Sequence, residues 1–200
     1  MPFLRYRAAV LAAGLPMALA ACSQPPASAP APAAPSTQSK VERGRLLVVG
    51  GGCHDCHTTK KMGPKGPEPD MSRMLAGHPE DIKVAAPYRQ APGSPYQIGV
   101  TETLTAWSGP WGVSFAANLT PDKNTGITSG VWTEDLFVKA LQSGKHMGTA
   151  RDILPPMPWN WYGQLPEEDL RAVYAYLLTI PPVLNHVPEP LPPTEAPAAK

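Results

Sequence analysis

The sequence of 200 residues has few cysteines and almost no net charge. It contains three cysteines, and its formal charge is +1. Three cysteines do not indicate a disulfide framework. Arg5 and Arg7 fall within the first 21 residues, and without that segment 15 basic and 16 acidic side chains remain. This balance excludes the basic footprint expected of a nucleic-acid-binding protein.

Proline, in contrast, is abundant. The chain has 27 prolines, far above the usual share of about 5%. They cluster near both ends and in loops, so the folded part is shorter than the chain. We predict a signal peptide over 1–21, a Pro/Ala-rich tether over 22–39, one folded domain over 40–182 and a Pro-rich disordered tail over 183–200.

The motif Cys53-His54-Asp55-Cys56-His57 is the most informative part of the sequence. Two cysteines three positions apart and followed at once by histidine have the spacing of c-type haem attachment. Each cysteine would form a thioether with one vinyl group of a porphyrin, and His57 would be the proximal iron ligand. A redox dithiol is one alternative, but it calls for a βαβ context. A zinc site is another, but it needs about four ligands and the chain has no second cysteine pair.

The first 21 residues are typical of an export signal. Two arginines precede the apolar stretch Ala8–Ala20, which is shorter than the about 20 residues that a transmembrane helix needs. The stretch ends in Leu19-Ala20-Ala21-Cys22, which resembles the bacterial lipoprotein box. That resemblance implies an acylated Cys22 and a periplasmic protein anchored to a membrane. The alternative is an ordinary cleaved signal that leaves Cys22 unmodified.

Three segments have the pattern of a helix. Val41–Val49 ends in an apolar portion before three glycines. Thr133–Ser143 has Thr133 as a candidate N-cap, an acidic first turn and a glycine after its last residue. The segment from Pro166 to Thr179 begins with three acidic residues and has apolar residues at i, i+3, i+4, i+7 spacing.

Over residues 40–182, the order of helix, haem motif, loops, helix, methionine loop and helix resembles the class I monohaem c-type cytochromes. The resemblance implies an all-α, cytochrome c-like fold, with three or more short helices around one covalently bound haem c. Residues 71–118 are rich in turn residues, with a short strand expected over Thr101–Trp107. We therefore expect a long loop insertion between the haem motif and the methionine loop.

The same resemblance implies two further contacts. In the family, the first and last helices cross with a small residue against an aromatic one, and Gly44 with Tyr174 or Tyr176 are the candidates. A proline carbonyl in the family accepts a hydrogen bond from the proximal histidine, and the candidates here are Pro64, Pro67 and Pro69, of which Pro67 is favoured.

Met157 is the candidate for the distal iron ligand. It lies in Pro155-Pro156-Met157-Pro158, where three prolines restrict the backbone on both sides of the thioether. Its position just before the last helix favours it over the other methionines, with Met147 next. The family pattern agrees, since its methionine loop directly precedes the C-terminal helix.

Histidine and methionine ligands would fill both axial positions of the iron, which favours one-electron transfer over catalysis. No acid–base pair or nucleophile constellation indicates an enzyme active site. The segments Asn118–Asp122 and Pro156–Trp159 are similar to those of cytochromes that serve periplasmic dehydrogenases. We therefore expect an electron carrier between a dehydrogenase or other donor and a terminal oxidase or another cytochrome, and such a carrier can be the cytochrome subunit of an oxidoreductase complex. The alternative is a haem enzyme or gas sensor with His78, His146 or water on the distal side.

Overall fold

The computed structural model describes residues 36–88, 93–130 and 132–193, and this part of the chain contains both helices and sheets. It has five α-helices, two short 3-10 turns and five strands. The all-α prediction is therefore wrong. The predicted signal peptide, Cys22 and most of the predicted tether lie outside the described residues.

The described elements follow in the order of two helices, five strands and three helices. None of these helices is both long and apolar enough to cross a membrane. The 3-10 turns are Met71–Arg73 and His146–Gly148. The bounds are α1 Thr37–Gly50, α2 Cys53–His57, β1 Lys60–Gly63, β2 Gly66–Pro69, β3 Gly99–Val100, β4 Ala106–Gly109, β5 Gly112–Phe115, α3 Glu134–Ser143, α4 Trp159–Tyr162 and α5 Glu167–Leu177.

Capping residues fix the ends of α1 and α3. The Ser36 hydroxyl accepts a hydrogen bond from the Ser39 backbone N–H at 3.2 Å, so α1 begins one turn earlier than its apolar residues predict. The Thr133 hydroxyl accepts from the Leu136 N–H at 3.2 Å, and Gly144 ends α3 in the left-handed region with φ +69°. The predicted ends of α3 are thus confirmed.

Helices α1 and α5 cross at Gly44. A Cβ atom at this position would lie 1.9 Å from the carbonyl oxygen of Ala172 and 2.9 Å from the Cβ of Tyr176. The two backbones therefore approach more closely than any residue other than glycine would allow. The expected crossing is confirmed, with Tyr176 as the aromatic partner of Gly44.

The hydrophobic core lies around this crossing and includes residues from the loops as well as from the helices. Cys53, the first residue of α2, packs against the core, so the same packing that holds α1 and α5 together also places the haem motif. The buried members are Val48, Leu75, Ile127, Phe137, Val173, Tyr174, Leu177 and Ile180.

An ion pair between Arg43 and Asp169 adds to the contact of α1 with α5. The guanidinium donates to both carboxylate oxygens, at 2.8 and 2.7 Å. The Asp169 side chain is 11% exposed, whereas that of Arg43 is 55% exposed. Hydrogen bonding and charge from Arg43 hold the pKa of Asp169 below its ordinary value.

We expect Asp169→Asn to lower the free energy of unfolding at pH 7 by about 1 kcal/mol, since solvent at Arg43 screens the pair. Because the folded-state pKa of Asp169 is lowered, the pair stabilises the fold above the ordinary carboxyl pKa and loses this effect as the pH falls through the folded-state value. Urea unfolding should show that Asp169→Asn is less stable than the wild type at pH 7 and that the two proteins are equally stable in acid. Glu42→Gln, in the exposed pair with Arg45, should leave stability unchanged at both pH values, and an equal loss in both variants would contradict this account.

Two small antiparallel sheets were missed by the sequence analysis. β1 pairs with β2, while β3, β4 and β5 form a second sheet in that order. A strand of four residues or fewer is too short to show the alternation of apolar and polar residues that identifies a strand. In β2, prolines 67 and 69 are also unfavourable for strand formation. The strand expected over Thr101–Trp107 overlaps β4 only at Ala106 and Trp107. The predicted loop insertion over 71–118 therefore contains a complete three-stranded sheet.

The segment 183–193 packs onto the domain, where we expected a disordered tail. Asn185 is fully buried, and its side-chain amide donates to the carbonyl oxygens of Ala76 at 2.6 Å and His78 at 2.9 Å. One buried asparagine gives no periodic signal in the sequence, which is why the analysis did not find this attachment. Residues 194–200 lie outside the described residues.

Candidate haem-binding site

A left-handed glycine begins the segment that carries the haem motif. Gly52 has φ +70°, and a Cβ there would lie 2.9 Å from a carboxylate oxygen of Asp55. The Asp55 N–H donates to the Gly52 carbonyl at 2.9 Å, which closes the first turn of α2. Cys53 and Cys56 are then one helical turn apart, both half-buried and neither in a disulfide.

Burial raises the pKa of both thiols. The pKa of Cys53 rises to about 11, and that of Cys56 is raised from the same cause. A reactive dithiol or a zinc-binding pair needs thiolates, which depressed pKa values favour. Burial around this pair thus opposes the thiolate form on which both alternatives to haem attachment depend.

The His57 imidazole is buried and held by a backbone carbonyl. Its Nδ1 lies 2.8 Å from the carbonyl oxygen of Ala117. A carbonyl can only accept, so Nδ1 carries the proton and Nε2 has the lone pair. Burial lowers the pKa of His57, which keeps the ring neutral, as a metal ligand must be. Among the described residues Nε2 forms no hydrogen bond, so this ring fits an axial iron ligand.

The prediction that the Pro67 carbonyl accepts the hydrogen bond from His57 is wrong. Pro67 lies in β2, in the hairpin that follows the motif. The actual acceptor, Ala117, is 60 residues away along the chain, just after β5. The family resemblance favoured Pro67, and no feature of the sequence identifies a backbone carbonyl 60 residues away.

The end of α2 is fixed by Thr58 and Lys60. The Lys60 ammonium donates to the carbonyl oxygens of His54 at 2.6 Å and Thr58 at 2.9 Å. The Thr58 hydroxyl accepts from the Leu75 N–H at 3.0 Å. A cation at the C-terminal end of a helix is favourable, so these contacts hold the five-residue helix in place.

The segment that leads to Met157 is held by α3 and β5. The Ile153 N–H donates to the carbonyl of Gly144 at 2.8 Å, and the Ser114 hydroxyl donates to the carbonyl of Pro155. The Met157 side chain is half-buried. The three prolines were expected to make this segment rigid, and the structure adds these hydrogen bonds.

The segment that follows Met157 reaches the haem motif. The Trp159 ring covers Gly144, where a Cβ would lie 2.5 Å from the ring. Three residues later, the Tyr162 hydroxyl donates to the carbonyl of Gly51, two residues before Cys53. The structure thus places the motif on one helix and joins the Met157 segment to it through Tyr162, a residue that sequence reasoning did not single out.

The other methionines have different surroundings. Met62 and Met71 are exposed, at 72% and 57%, and Met74 packs against the core. Met147, the second candidate, lies in a 3-10 turn with a left-handed φ of +53°. Of these four, Met147 remains the competitor to Met157.

His78, a candidate distal ligand in the alternative hypothesis, is fully buried with both ring nitrogens in hydrogen bonds. Nε2 lies 2.9 Å from the Ile82 carbonyl, and Nδ1 lies 2.9 Å from the Thr105 hydroxyl. The carbonyl requires a proton on Nε2, so Nδ1 accepts from Thr105. Neither nitrogen has a lone pair left for iron in this arrangement.

An apolar depression of about 360 Å³ lies beside the motif, between the end of α1 and α4. No charged residue lines it, and Leu46 and Trp161 on its wall are exposed, at 52% and 68%. This surface adjoins Gly51 and is available for apolar contacts. The lining residues are Leu46, Leu47, Gly50, Gly51, Trp161, Tyr162 and Leu165.

Comparison with known proteins shows that the sequence of this chain is similar to those of cytochrome subunits. The chain is 30% identical over 168 residues to the fructose dehydrogenase cytochrome subunit of Gluconobacter japonicus, which is 84% of this chain and 26% of that protein. It is 29% identical over 140 residues to the gluconate 2-dehydrogenase cytochrome c subunit of Pantoea cypripedii, 69% of this chain and 22% of that protein. It is 34% identical over 86 residues to the cytochrome c subunit of the quinone alcohol dehydrogenase of Gluconobacter oxydans, 43% of this chain and 16% of that protein. No family model matches the chain.

The chain thus spans about a quarter or less of the length of these relatives. All three are cytochrome subunits of dehydrogenases. The similarity supports a cytochrome c family for this chain and implies haem c as the cofactor. It is consistent with an electron-carrier subunit.

Proposed function

We propose that this protein transfers single electrons on one c-type haem that is attached covalently to Cys53 and Cys56. The observation that carries the proposal is the His57 ring, which is neutral, buried and oriented by the Ala117 carbonyl, directly after a Cys-x-x-Cys pair. A hydrogen bond at Nδ1 fixes the tautomer that presents Nε2 to a metal. When bound, the haem would supply the reversible one-electron chemistry of its iron.

Met157 is proposed as the second iron ligand. Its half-buried side chain lies in a segment held by hydrogen bonds from Ile153 and Ser114, so little chain entropy would be lost on ligation. Together, the Met157 thioether and the His57 imidazole would hold the iron, which would raise its reduction potential and leave no position for a substrate. This supports an electron carrier over the haem enzyme or gas sensor, and the occupied nitrogens of His78 support the same choice.

The proposed partners are redox proteins. The relatives are cytochrome subunits of fructose, gluconate and alcohol dehydrogenases. We propose a dehydrogenase as the electron donor and a terminal oxidase or a second cytochrome as the acceptor. The uncharged depression beside the motif supports contact with another protein near the proposed haem.

We further propose that the protein works in the periplasm, anchored to a membrane through an acylated Cys22. The support is the sequence Leu19-Ala20-Ala21-Cys22 at the end of an apolar stretch. Stable anchoring needs more than one acyl chain or a second signal. Mass spectrometry of the mature N-terminus is expected to show a multiply acylated Cys22, and an unmodified Cys22 would contradict the anchor while leaving electron transfer intact.

A redox titration of the purified protein tests the proposed function. We expect one reversible one-electron wave for each polypeptide, with one haem that denaturation does not release. The ferrous protein should resist carbon monoxide at neutral pH, because His57 and Met157 would both be bound to the iron. Rapid carbon monoxide binding would favour the enzyme or sensor, and a protein without a redox wave would contradict both.

A further inference from the structure

Four contacts made by the described residues help to hold the segment 153–162 that carries Met157. Three of them reach α3 or β5, through the Gly144 carbonyl, the Ser114 hydroxyl and the packing of Trp159 on Gly144. The fourth is the hydrogen bond from the Tyr162 hydroxyl to the Gly51 carbonyl. It joins the segment directly to the turn that precedes Cys53.

The packing around this hydrogen bond is close. A Cβ at Gly51 would lie 3.1 Å from the Cε1 atom of Tyr162 and 2.7 Å from the carbonyl oxygen of Leu47. Glycine at this position therefore lets the tyrosine ring lie against the backbone at the end of α1. Both the hydroxyl and the ring of Tyr162 thus define how far α4 stands from the haem motif.

The ionisation of Tyr162 is consistent with this place in the structure. Burial, with smaller effects from Cys53, Cys56 and Asp55, raises its pKa to about 12. The hydroxyl is therefore protonated at neutral pH and able to donate. Its hydrogen bond to the Gly51 carbonyl, two residues before Cys53, is what places the phenol near the attachment sites.

Four residues separate Met157 from Tyr162, and most of them belong to α4. The N–H of Trp161 donates to the Pro158 carbonyl at 3.0 Å, and that of Gly163 donates to the Trp159 carbonyl at 2.7 Å. A movement of Tyr162 would therefore be passed to Met157 through one short hydrogen-bonded turn and would not be absorbed by a loop.

From this geometry we infer that Tyr162 is a positioning residue, which holds the thioether of Met157 at ligating distance from the iron by tying α4 to the Gly51 carbonyl. The inference rests on the proposed function, since it takes Met157 as the distal ligand. Tyr162 itself does not touch the iron in this scheme. Its effect is to keep the ligand segment and the attachment helix in one fixed relation.

The test compares Tyr162→Phe with Tyr176→Phe. The first keeps the ring on Gly51 and removes the donor, while the second removes a hydroxyl from a tyrosine that packs on α1 at Gly44. We expect Tyr162→Phe to attach haem as the wild type does. In the ferric state, the pH at which the far-red sulfur-to-iron band disappears should be about one unit lower than in the wild type. In the ferrous state, the variant should bind carbon monoxide about tenfold faster than the wild type, which is the factor expected from one lost hydrogen bond. Tyr176→Phe should match the wild type in both.

A second variant keeps the inference falsifiable without touching the tyrosine. Gly51→Ala should displace the Tyr162 ring and shift both readouts in the same direction, whereas Gly50→Ala, with open space around its Cβ, should not. Wild-type behaviour of Tyr162→Phe would overturn the inference and leave the proposed function standing. Failure of Tyr162→Phe to attach haem would overturn it as well, because the residue would then serve the fold in general. A wild-type protein that lacks the band would instead overturn the ligand assignment, and this inference with it.

Discussion

Replacing Cys53 and Cys56 together with serine is expected to abolish covalent haem attachment. Each thioether needs a sulfur, and the two sulfurs must lie one helical turn apart, as they do on α2. Serine is close to cysteine in size and both side chains are only half-buried, so the fold around Cys53 should change little. The expected result is an exported protein whose haem, if present at all, is extracted completely by acidified organic solvent.

Denaturing electrophoresis with a haem-peroxidase stain measures this directly. The wild type should stain, the double variant should not, and each single variant should keep one thioether at most. The matched control is Cys22→Ser, which should change N-terminal acylation without affecting the stain on the polypeptide. A double variant that still stains would contradict attachment at this motif.

Gly44→Ala is expected to destabilise the protein strongly. The new methyl would lie 1.9 Å from the carbonyl oxygen and 2.5 Å from the carbonyl carbon of Ala172, and these backbone atoms cannot rotate away. Overpacking of this kind typically costs 1–3 kcal/mol, and backbone contact places this site at about 3 kcal/mol. A loss of that size is a large part of the 5–15 kcal/mol that usually holds a domain folded. We expect the midpoint of thermal unfolding to fall by about 10 °C.

Gly50→Ala is the matched control on the same helix. A Cβ at Gly50 has no heavy atom within 4 Å, and alanine is favoured over glycine in a helix. Urea unfolding should therefore show unchanged or slightly increased stability for Gly50→Ala and a large decrease for Gly44→Ala. Equal stabilities would mean that α1 and α5 do not meet at Gly44.

The sequence predicted those parts of the protein that local chemistry determines. The Cys-x-x-Cys-His spacing, the Thr133 cap and the acidic start of α5 are each set by a few neighbouring residues, and α3 and α5 lie close to their predicted bounds. The crossing of α1 and α5 at Gly44 was predicted from the family resemblance. The other features named here needed no knowledge of distant contacts.

The features that the sequence did not predict depend on residues far apart in the chain. The Ala117 carbonyl meets His57 across 60 residues, and Tyr162 meets Gly51 across 111. No local pattern in the sequence identifies which backbone carbonyl, or which of the six tyrosines, makes such a contact. The small sheets were missed for a different reason, since strands of four residues or fewer with glycine and proline at their ends have no readable period.

The ligand field of the iron tests the central claim most directly. The ferric wild-type protein is expected to be low-spin, with a weak far-red sulfur-to-iron absorption band. Met157→Ala should abolish that band, whereas Met147→Ala should retain it. A wild type without the band, or a band lost in Met147→Ala and kept in Met157→Ala, would contradict the His57 and Met157 site on which the proposed electron transfer depends.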